Sequence, residues 1–369
     1  MARVDTDLAL IYDERCLAHD NGSMLLDPRA DQWLGVAHVE SAERIRRSWQ
    51  LLERSGVAAK LKTMPSRPAT EDEIRLVHTA AHLERIDAAC RHEAPSSVGP
   101  GALAGRASRE PILLAAGAGS LAVEWVLAEP ARSAFALIRP PGHHASADRG
   151  MGFCVLNNAA IAARVAQRQH GLARVAIVDW DVHHGNGTED VFYDDPSVLF
   201  CSLHQDGLYP AGRGLVGDSG TGPAAGTTLN VPLPPGTGGA GYLLALETVV
   251  EPALRAFGPE LLIVSAGQDP GAADPLGRMS VTAPEFARMT RRLLELAKEV
   301  CDGRMVTLQE GGYNSDHMPY CNLAIVEAMG RLEPTFATDP LDMDVNGSVR
   351  EIEREAIAAV ADSGRREQT

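Results

Sequence analysis

VAIVDWDVHHGNGT, residues 175 to 188, starts as a buried strand and ends as a cluster of metal-binding side chains. Val175, Ala176, Ile177 and Val178 form a short continuous apolar run with three β-branched members. Such a run is expected of a strand covered on both faces, the situation of a parallel sheet between helices. Asp179, Asp181, His183 and His184 follow within six residues, then Gly185 and Gly187. Charged groups beside a buried strand are costly unless they are paired or bound to a metal. Extended chain repeats every two residues, so Asp179, Asp181 and His183 are expected to point to one side. Two carboxylates and an imidazole in one small volume suit a first-row divalent cation. An ion-paired strand end is the simpler reading of a lone D-x-H, and the rest of the chain argues against it here.

Other apolar runs repeat the arrangement. Phe135 to Ile138 runs into Arg139, Pro140, Pro141, Gly142, His143 and His144. The prolines and the glycine fix a sharp turn that presents two adjacent histidines. Leu261 to Val264 opens towards Gln268 and Asp269, and Met305 to Leu308 ends in Glu310, Gly311, Gly312 and Tyr313. Leu8 to Tyr12 and Val198 to Leu203 are further expected strands. Helical periodicity falls between them, at 41–53, 70–86, 111–129, from 157, and at 241–255 and 284–300. His78 and His82 lie one turn apart in the 70–86 helix, a metal-binding spacing with no third ligand nearby. Residues 94–109, rich in Gly, Pro and Ser, read as a rim or lid loop. Residues 205–239 read as the longest irregular segment and are expected to frame a pocket. Helices alternating with buried strands give an α/β fold with a mainly parallel sheet covered on both faces. One domain is expected over residues 1–369, with a catalytic core at about 70–330 and a frayed tail at 364–369. Four runs carry polar residues at their C-terminal ends, where open parallel sheets place their ligands.

Asp181, His183 and Asp269 make a three-ligand set that leaves positions for water and a substrate carbonyl. Carboxylate ligands lower the net positive charge, so the water is less acidified than in an all-histidine site and a separate general base is useful. His143 and His144 supply it, with Asp179 orienting the first and Asn186 the second. A carboxylate partner raises a histidine's pKa and an amide does so less, so the two imidazoles can differ in protonation. Tyr313, after two glycines, is a mobile phenol suited to a developing oxyanion. Together these residues point to metal-assisted hydrolysis of an amide, with His144 deprotonating the attacking water and then protonating the leaving amine.

The bulk numbers narrow the partners. The chain is 45% hydrophobic and carries 34 Lys+Arg against 49 Asp+Glu, a net charge of -15. That acidity argues against general binding to nucleic acid or to an anionic membrane. Six cysteines without a CxxC read as buried thiols of a reducing compartment. The start MARVDTDLALIYDE does not read as a signal peptide, and no apolar run is expected to reach the ~20 residues that span a bilayer. A cytoplasmic protein is expected, and a homo-oligomer, since pocket loops are often completed by a neighbouring subunit.

The stretches RPPGHHA, GMGFC, IVDWDVHHGNGT, SLH, DPLGRM and QEGGY resemble the histone deacetylase superfamily, nearest the bacterial class II histone deacetylase-like amidohydrolases, relatives of the acetylpolyamine amidohydrolases. They occur in the family's order and cover most of residues 70 to 330. The resemblance implies the arginase/deacetylase fold, a single domain with a central eight-stranded parallel sheet flanked by helices. It implies Zn2+ on Asp181, His183 and Asp269, the histidine pair His143 and His144 backed by Asp179 and Asn186, and Tyr313 as carbonyl polariser. Phe153 matches one wall of the acyl channel and Gly152 its floor, with Tyr209 expected on the opposite wall. Structural K+ is implied at Asp179, Asp181, His183, Ser202 and Leu203, with a second site at Phe192, Asp195 and Val198.

Two departures bear on the substrate. Gln268 stands where the family has an apolar residue before the third ligand, which is expected to put an amide dipole beside the metal. The 94–109 loop holds no Asp or Glu, whereas acyl-lysine and polyamine deacetylases of this type commonly carry a rim acid. The expected substrate is a secondary amide: an N-acyl-lysine, an N-acetylpolyamine, or a small N-alkyl amide of the dimethoate type. Two other classes are weighed against this. A non-catalytic acyl-lysine reader would not need the intact site, and an arginase-type ureohydrolase would need further aspartates for two manganese ions. Fe2+ suits the same ligands as Zn2+.

Overall fold

Alternate residues along each strand divide between two cores, and that division shapes the molecule. In the computed structural model, which describes residues 7–24, 31–130, 132–342, 345 and 347–366, the strands are β1 (Leu8–Tyr12), β2 (Lys62–Met64), β3 (Ser96–Gly99), β4 (Ala102–Ala104), β5 (Ser133–Leu137), β6 (Val175–Asp179), β7 (Val198–Gln205), β8 (Thr228–Leu233), β9 (Leu261–Ala266) and β10 (Met305–Gln309). Eight of them form one sheet in the order β2-β1-β5-β10-β9-β6-β7-β8, parallel throughout. Leu8, Leu10, Phe135, Leu137, Ala176 and Val178 face a core shared with the helices Ala42–Arg54, Ala283–Val300 and Met318–Met329. Ala9, Ile11, Ala134, Ala136, Val175 and Ile177 face the opposite core, with the helices Arg109–Ala128 and Asn158–His170. Burying such side chains is worth ~1.5–3 kcal/mol for each Val, Leu or Ile, so a sheet buried on both faces selects uninterrupted apolar runs. The single domain with eight parallel strands flanked by helices agrees with the expectation.

Several elements differ from it. The helix expected over 70–86 is two helices, Glu71–Arg75 and Ala80–Ala89. Thr70 and Thr79 each cap one of them, accepting from the N–H of Glu73 and of His82 at 3.2 Å. The second cap restarts the chain, so His78 and His82 do not share a helix. Within the irregular 205–239 segment lies β8, whose Pro232 is tolerated because the strand forms an edge of the sheet. The other edge, β2, also escaped the sequence reading, being three residues long with Lys62 and Thr63 exposed. The rim loop contains a two-stranded antiparallel hairpin, β3–β4. Contrary to the expectation that no apolar run reaches membrane length, residues 106–128 are long and apolar enough to cross one. In this fold 67% of that apolar window is buried, packed on Asn158–His170 and β5, which is how a helix apolar all round behaves in a core. The last helix, Glu351–Arg366, continues through the first three residues of the expected frayed tail, and 367–369 lie outside the described residues.

The strand order has one consequence for function. β5, β10, β9 and β6 are consecutive neighbours at the centre of the sheet. They are the four strands whose C-terminal ends carry the histidine pair, Tyr313, Asp269, and the Asp179–His183 segment.

Candidate active site

Asp181, His183 and Asp269 come together, their ligand atoms within 4.8 Å of one another and all three residues buried. Nδ1 of His183 lies 2.9 Å from Oδ1 of Asp181 and 3.2 Å from Oδ2 of Asp269. Backbone amides fix both carboxylates: the N–H of His183 and of Gly311 donate to Asp181 at 2.9 and 2.8 Å, and that of Val182 to Oδ1 of Asp269 at 2.8 Å. Among the described residues no donor is aligned for a hydrogen bond to the buried Oδ2 of Asp269, which has the His183 ring beside it. Glycine is required on two sides, since a Cβ on Gly267 would lie 2.1 Å from Oδ2 of Asp181 and one on Gly311 2.0 Å from Oδ2 of Asp269. Burial and the Asp181 carboxylate push Asp269 up to about 7, and the two carboxylates push His183 up to about 10 against its own burial. Two carboxylates facing one imidazole demand positive charge. The donor set, the orphaned oxygen and the glycine-lined cradle all fit a divalent cation.

The histidine pair stands beside it, with ring centroids 4.0 Å apart. Nδ1 of His143 lies 2.8 Å from Oδ2 of Asp179, and Nδ1 of His144 lies 2.7 Å from Oδ1 of Asn186. Both partner oxygens only accept, so each Nδ1 carries the proton and each Nε2 is left for chemistry. Burial disfavours the imidazolium of both. For His143 the Asp179 and Asp181 carboxylates outweigh burial and hold the pKa well above the usual value. For His144 burial is reinforced by His143 and His183, and the pKa falls well below it. The turn carrying the pair is pinned by residues the sequence reading did not assign. Oε2 of Glu310 accepts the N–H of Gly142 at 2.6 Å and of His143 at 3.1 Å, and Asn157 Nδ2 donates to the Ala145 carbonyl at 3.0 Å. Glu310 is buried at the end of β10, where a carboxylate in QEGGY was the available signal. His143, Cys154 and Glu310 also bring donor atoms within 4.8 Å. Those of Glu310 and His143 are already engaged, and burial pushes the Cys154 thiol well up.

A channel of about 360 Å³ leads to this floor, lined by Met24, Gly101, His144, Gly152, Phe153, His183, Leu208, Tyr209, Leu276 and Tyr313. Gly152, Phe153 and Tyr209, expected at the channel, are all among its lining residues. The hairpin β3–β4 shapes one side, because the Pro100 and Gly101 carbonyls accept the N–H of Gly152 and Phe153 at 3.0 and 2.9 Å. The Tyr209 carbonyl takes the N–H of His184 at 3.2 Å. Gln268, expected beside the metal and the channel, is not among the residues that line the channel. Asp269 faces the cation cradle, so its neighbour turns away; Gln268 is buried and its Oε1 accepts a hydrogen bond from Nε2 of Gln309. The same alternation sends His184 away from the site, with Nε2 3.1 Å from Oε2 of Glu189. Met24, Gly101, Leu208 and Leu276 were not foreseen, since apolar residues in loops carry no periodic signal.

Of the residues named for K+, Asp179 pairs with Ser202 across β6 and β7, and Leu203 follows Ser202. Ser202 Oγ lies 3.0 Å from Nδ1 of His204. In the segment named for a second K+ site, Asp195 is held by Arg164 at 2.5 Å and by Ser197. Among the described residues, His78 and His82 belong to no group of three candidate metal ligands. Nε2 of His78 accepts the Asn157 N–H at 2.9 Å, and Nε2 of His82 lies 2.8 Å from the Val155 carbonyl oxygen. All six cysteines are buried and unpaired.

Fold and site define a hydrolase acting on amide bonds, and the comparisons with known proteins agree. Residues 38–329 match the histone deacetylase domain, and the chain belongs to the histone deacetylase family. It is 38% identical to a histone deacetylase-like amidohydrolase of Pseudomonas aeruginosa, covering 96% of this chain and 95% of that one. It is 39% identical to a probable deacetylase of Archaeoglobus fulgidus, covering 82% and 84%. Among solved structures, the HD domain of HDA15 superposes with a TM-score of 0.85 at 32% identity, covering 98% of this chain and 96% of that one.

Proposed function

We propose that this protein is a zinc-dependent deacetylase-type amidohydrolase that cleaves a secondary amide. Asp181, His183 and Asp269 hold the cation. When bound, Zn2+ supplies Lewis-acid polarisation of the amide carbonyl and acidifies a water. The observation that carries the reading is the juxtaposition of this cradle with two imidazoles in opposite protonation preference, at the base of a narrow channel. His144, held neutral, takes the proton of the attacking water through Nε2 and returns it to the leaving nitrogen. His143, kept cationic by Asp179, adds positive charge beside the oxyanion. Tyr313 donates its phenol proton to that oxyanion. Channel walls Phe153 and Tyr209 hold the acyl group over Gly152 and exclude water. K+ at Asp179, Asp181, His183, Ser202 and Leu203 would brace the C-terminal ends of β6 and β7. A non-catalytic acyl-lysine binder would have no use for the oppositely tuned imidazole pair.

For the amine, a specific observation favours a neutral group. Among the described residues the channel lining contains no Asp or Glu, and Met24, Leu208 and Leu276 contribute apolar surface. A small N-alkyl amide of the dimethoate type fits this better than a cationic acyl-lysine or acetylpolyamine. The test is an amide-substrate screen on metal-analysed protein, comparing acetyl-lysine peptide, acetylputrescine and N-methyl amides. Zinc content with turnover of the N-methyl amides at a comparable or higher kcat/KM is expected. A large preference for either cationic substrate overturns the neutral-amine reading, and metal-loaded protein without turnover of any amide overturns the hydrolase mechanism. A reducing, cytoplasmic setting is supported by the six buried thiols. Cell fractionation tests the location, and sedimentation tests the homo-oligomer expected from the pocket loops.

A further inference from the structure

The loop after β9 and the loop after β10 are laced together through one carboxylate. Asp274 is 8% exposed. Its Oδ2 accepts the N–H of Tyr313 at 2.6 Å and of Asn314 at 3.2 Å, and its Oδ1 accepts the N–H of Leu276 at 2.9 Å. The Asn314 amide returns the contact, donating from Nδ2 to the Ala273 carbonyl at 2.8 Å. Ala273 has φ +87°, a left-handed conformation that a residue with a Cβ holds only where its surroundings impose it. Backbone strain beside a site is a sign that the geometry there is selected for something other than ease of folding. Over the Tyr313 ring, the Arg44 guanidinium lies 4.8 Å from the centroid while binding the Gly312 and Glu310 carbonyls.

Tyr313 needs such a support. It follows Gly311 and Gly312, the latter at φ +106°, so the chain before it has little intrinsic preference. A hydrogen bond to a developing oxyanion is effective only if the donor is already in place, and misplacement by about 1 Å can cost about 100-fold. A charged acceptor makes the stronger kind of backbone hydrogen bond. We propose that Asp274 is the positioning residue for Tyr313, and that through Leu276 the same carboxylate places the channel wall and the phenol as one unit. The inference rests on the oxyanion-donor role proposed above for Tyr313.

A double-mutant cycle of D274N and Y313F tests it on zinc-loaded protein, with metal content and melting temperature measured on every variant. The amide introduced by D274N would turn an NH2 group towards backbone N–H donors, which loosens the loop without changing its volume. Y313F is expected to lower kcat about 100-fold or more. D274N is expected to lower kcat about 10- to 100-fold with KM nearly unchanged, and to cost less than about 2-fold in the Y313F background. Equal losses in both backgrounds would show that Asp274 acts through folding or the metal and would overturn the proposal. So would an unimpaired D274N. An active Y313F would instead remove the role of Tyr313 itself, and the positioning role with it, a pattern distinct from additivity. Should D274N not accumulate as folded protein, D274S, which keeps one acceptor oxygen, takes its place in the same cycle.

Discussion

Two imidazoles 4.0 Å apart differ in what their Nδ1 atoms touch and in the charges around them, and those differences separate their protonation preferences. His143 faces a carboxylate and is held cationic; His144 faces an amide and is held neutral by burial and by two neighbouring histidines. The sign of the resulting pH dependence can be worked out. A base must be neutral, so activity fails on the acid side as pH falls through the pKa of His144. N186D gives His144 a carboxylate partner of the same shape, and an adjacent opposite charge raises a pKa by about 1–3 units. The acid limb of kcat/KM is therefore expected to move to higher pH by about one unit or more. A pH–rate profile whose acid limb stays in place while activity is retained would remove His144 as the base.

At the level of elements, the site is assembled by turns rather than by the strands that support them. The turn after β10 matters most: Gly311 donates its N–H to Asp181 while leaving space that a methyl group would take from Oδ2 of both Asp269 and Asp181. G311A is expected to fold, since Gly311 lies beyond the end of β10, but to bind zinc at least about 10-fold more weakly, because ligand geometry sets affinity. Metal analysis after dialysis at fixed zinc activity checks this; full occupancy at unchanged affinity would contradict the cradle. Elements also explain where sequence reading failed. β2 and β8 are the sheet's edges, one too short and the other containing a proline, so neither carries the doubly buried pattern by which the central strands are recognised. Thr79 broke the expected 70–86 helix because a side-chain cap can outweigh a continuing helical period.

For the molecule as a whole, the active end concentrates negative charge in a chain that already carries a net charge of -15. Asp179, Asp181, Asp269 and Glu310 are all fully buried there. A cation bound only by the folded state stabilises it by mass action, worth ~2.7 kcal/mol at a hundredfold excess over the dissociation constant. Stripping the metal with a chelator is expected to lower the melting temperature by several degrees and abolish amide hydrolysis, and zinc is expected to restore both. Thermal melts at matched ionic strength check this. A melting temperature indifferent to metal would mean that the carboxylates are neutralised by protons instead. Substrate preference also belongs at this scale, because the channel is built from eight separate stretches of chain, none of which contributes an Asp or Glu among the described residues.

The sequence by itself determined the α/β class, the central strands, the candidate cation ligands, the histidine pair with its partners, and the position of Tyr313. These were legible because doubly buried strands must be continuously apolar, so every charged residue set at a strand's end stands out as an expense requiring a partner. Only the tertiary structure decided which side chains share a space without sharing a pattern. It turned Gln268 out of the channel and into contact with Gln309, and brought Met24 and Leu276 in. It gave Glu310 the backbone of the histidine turn and Asp274 that of Tyr313. Residues in loops obey no period, and a carboxylate's backbone partner is fixed by the path of a distant segment rather than by anything in its own neighbourhood.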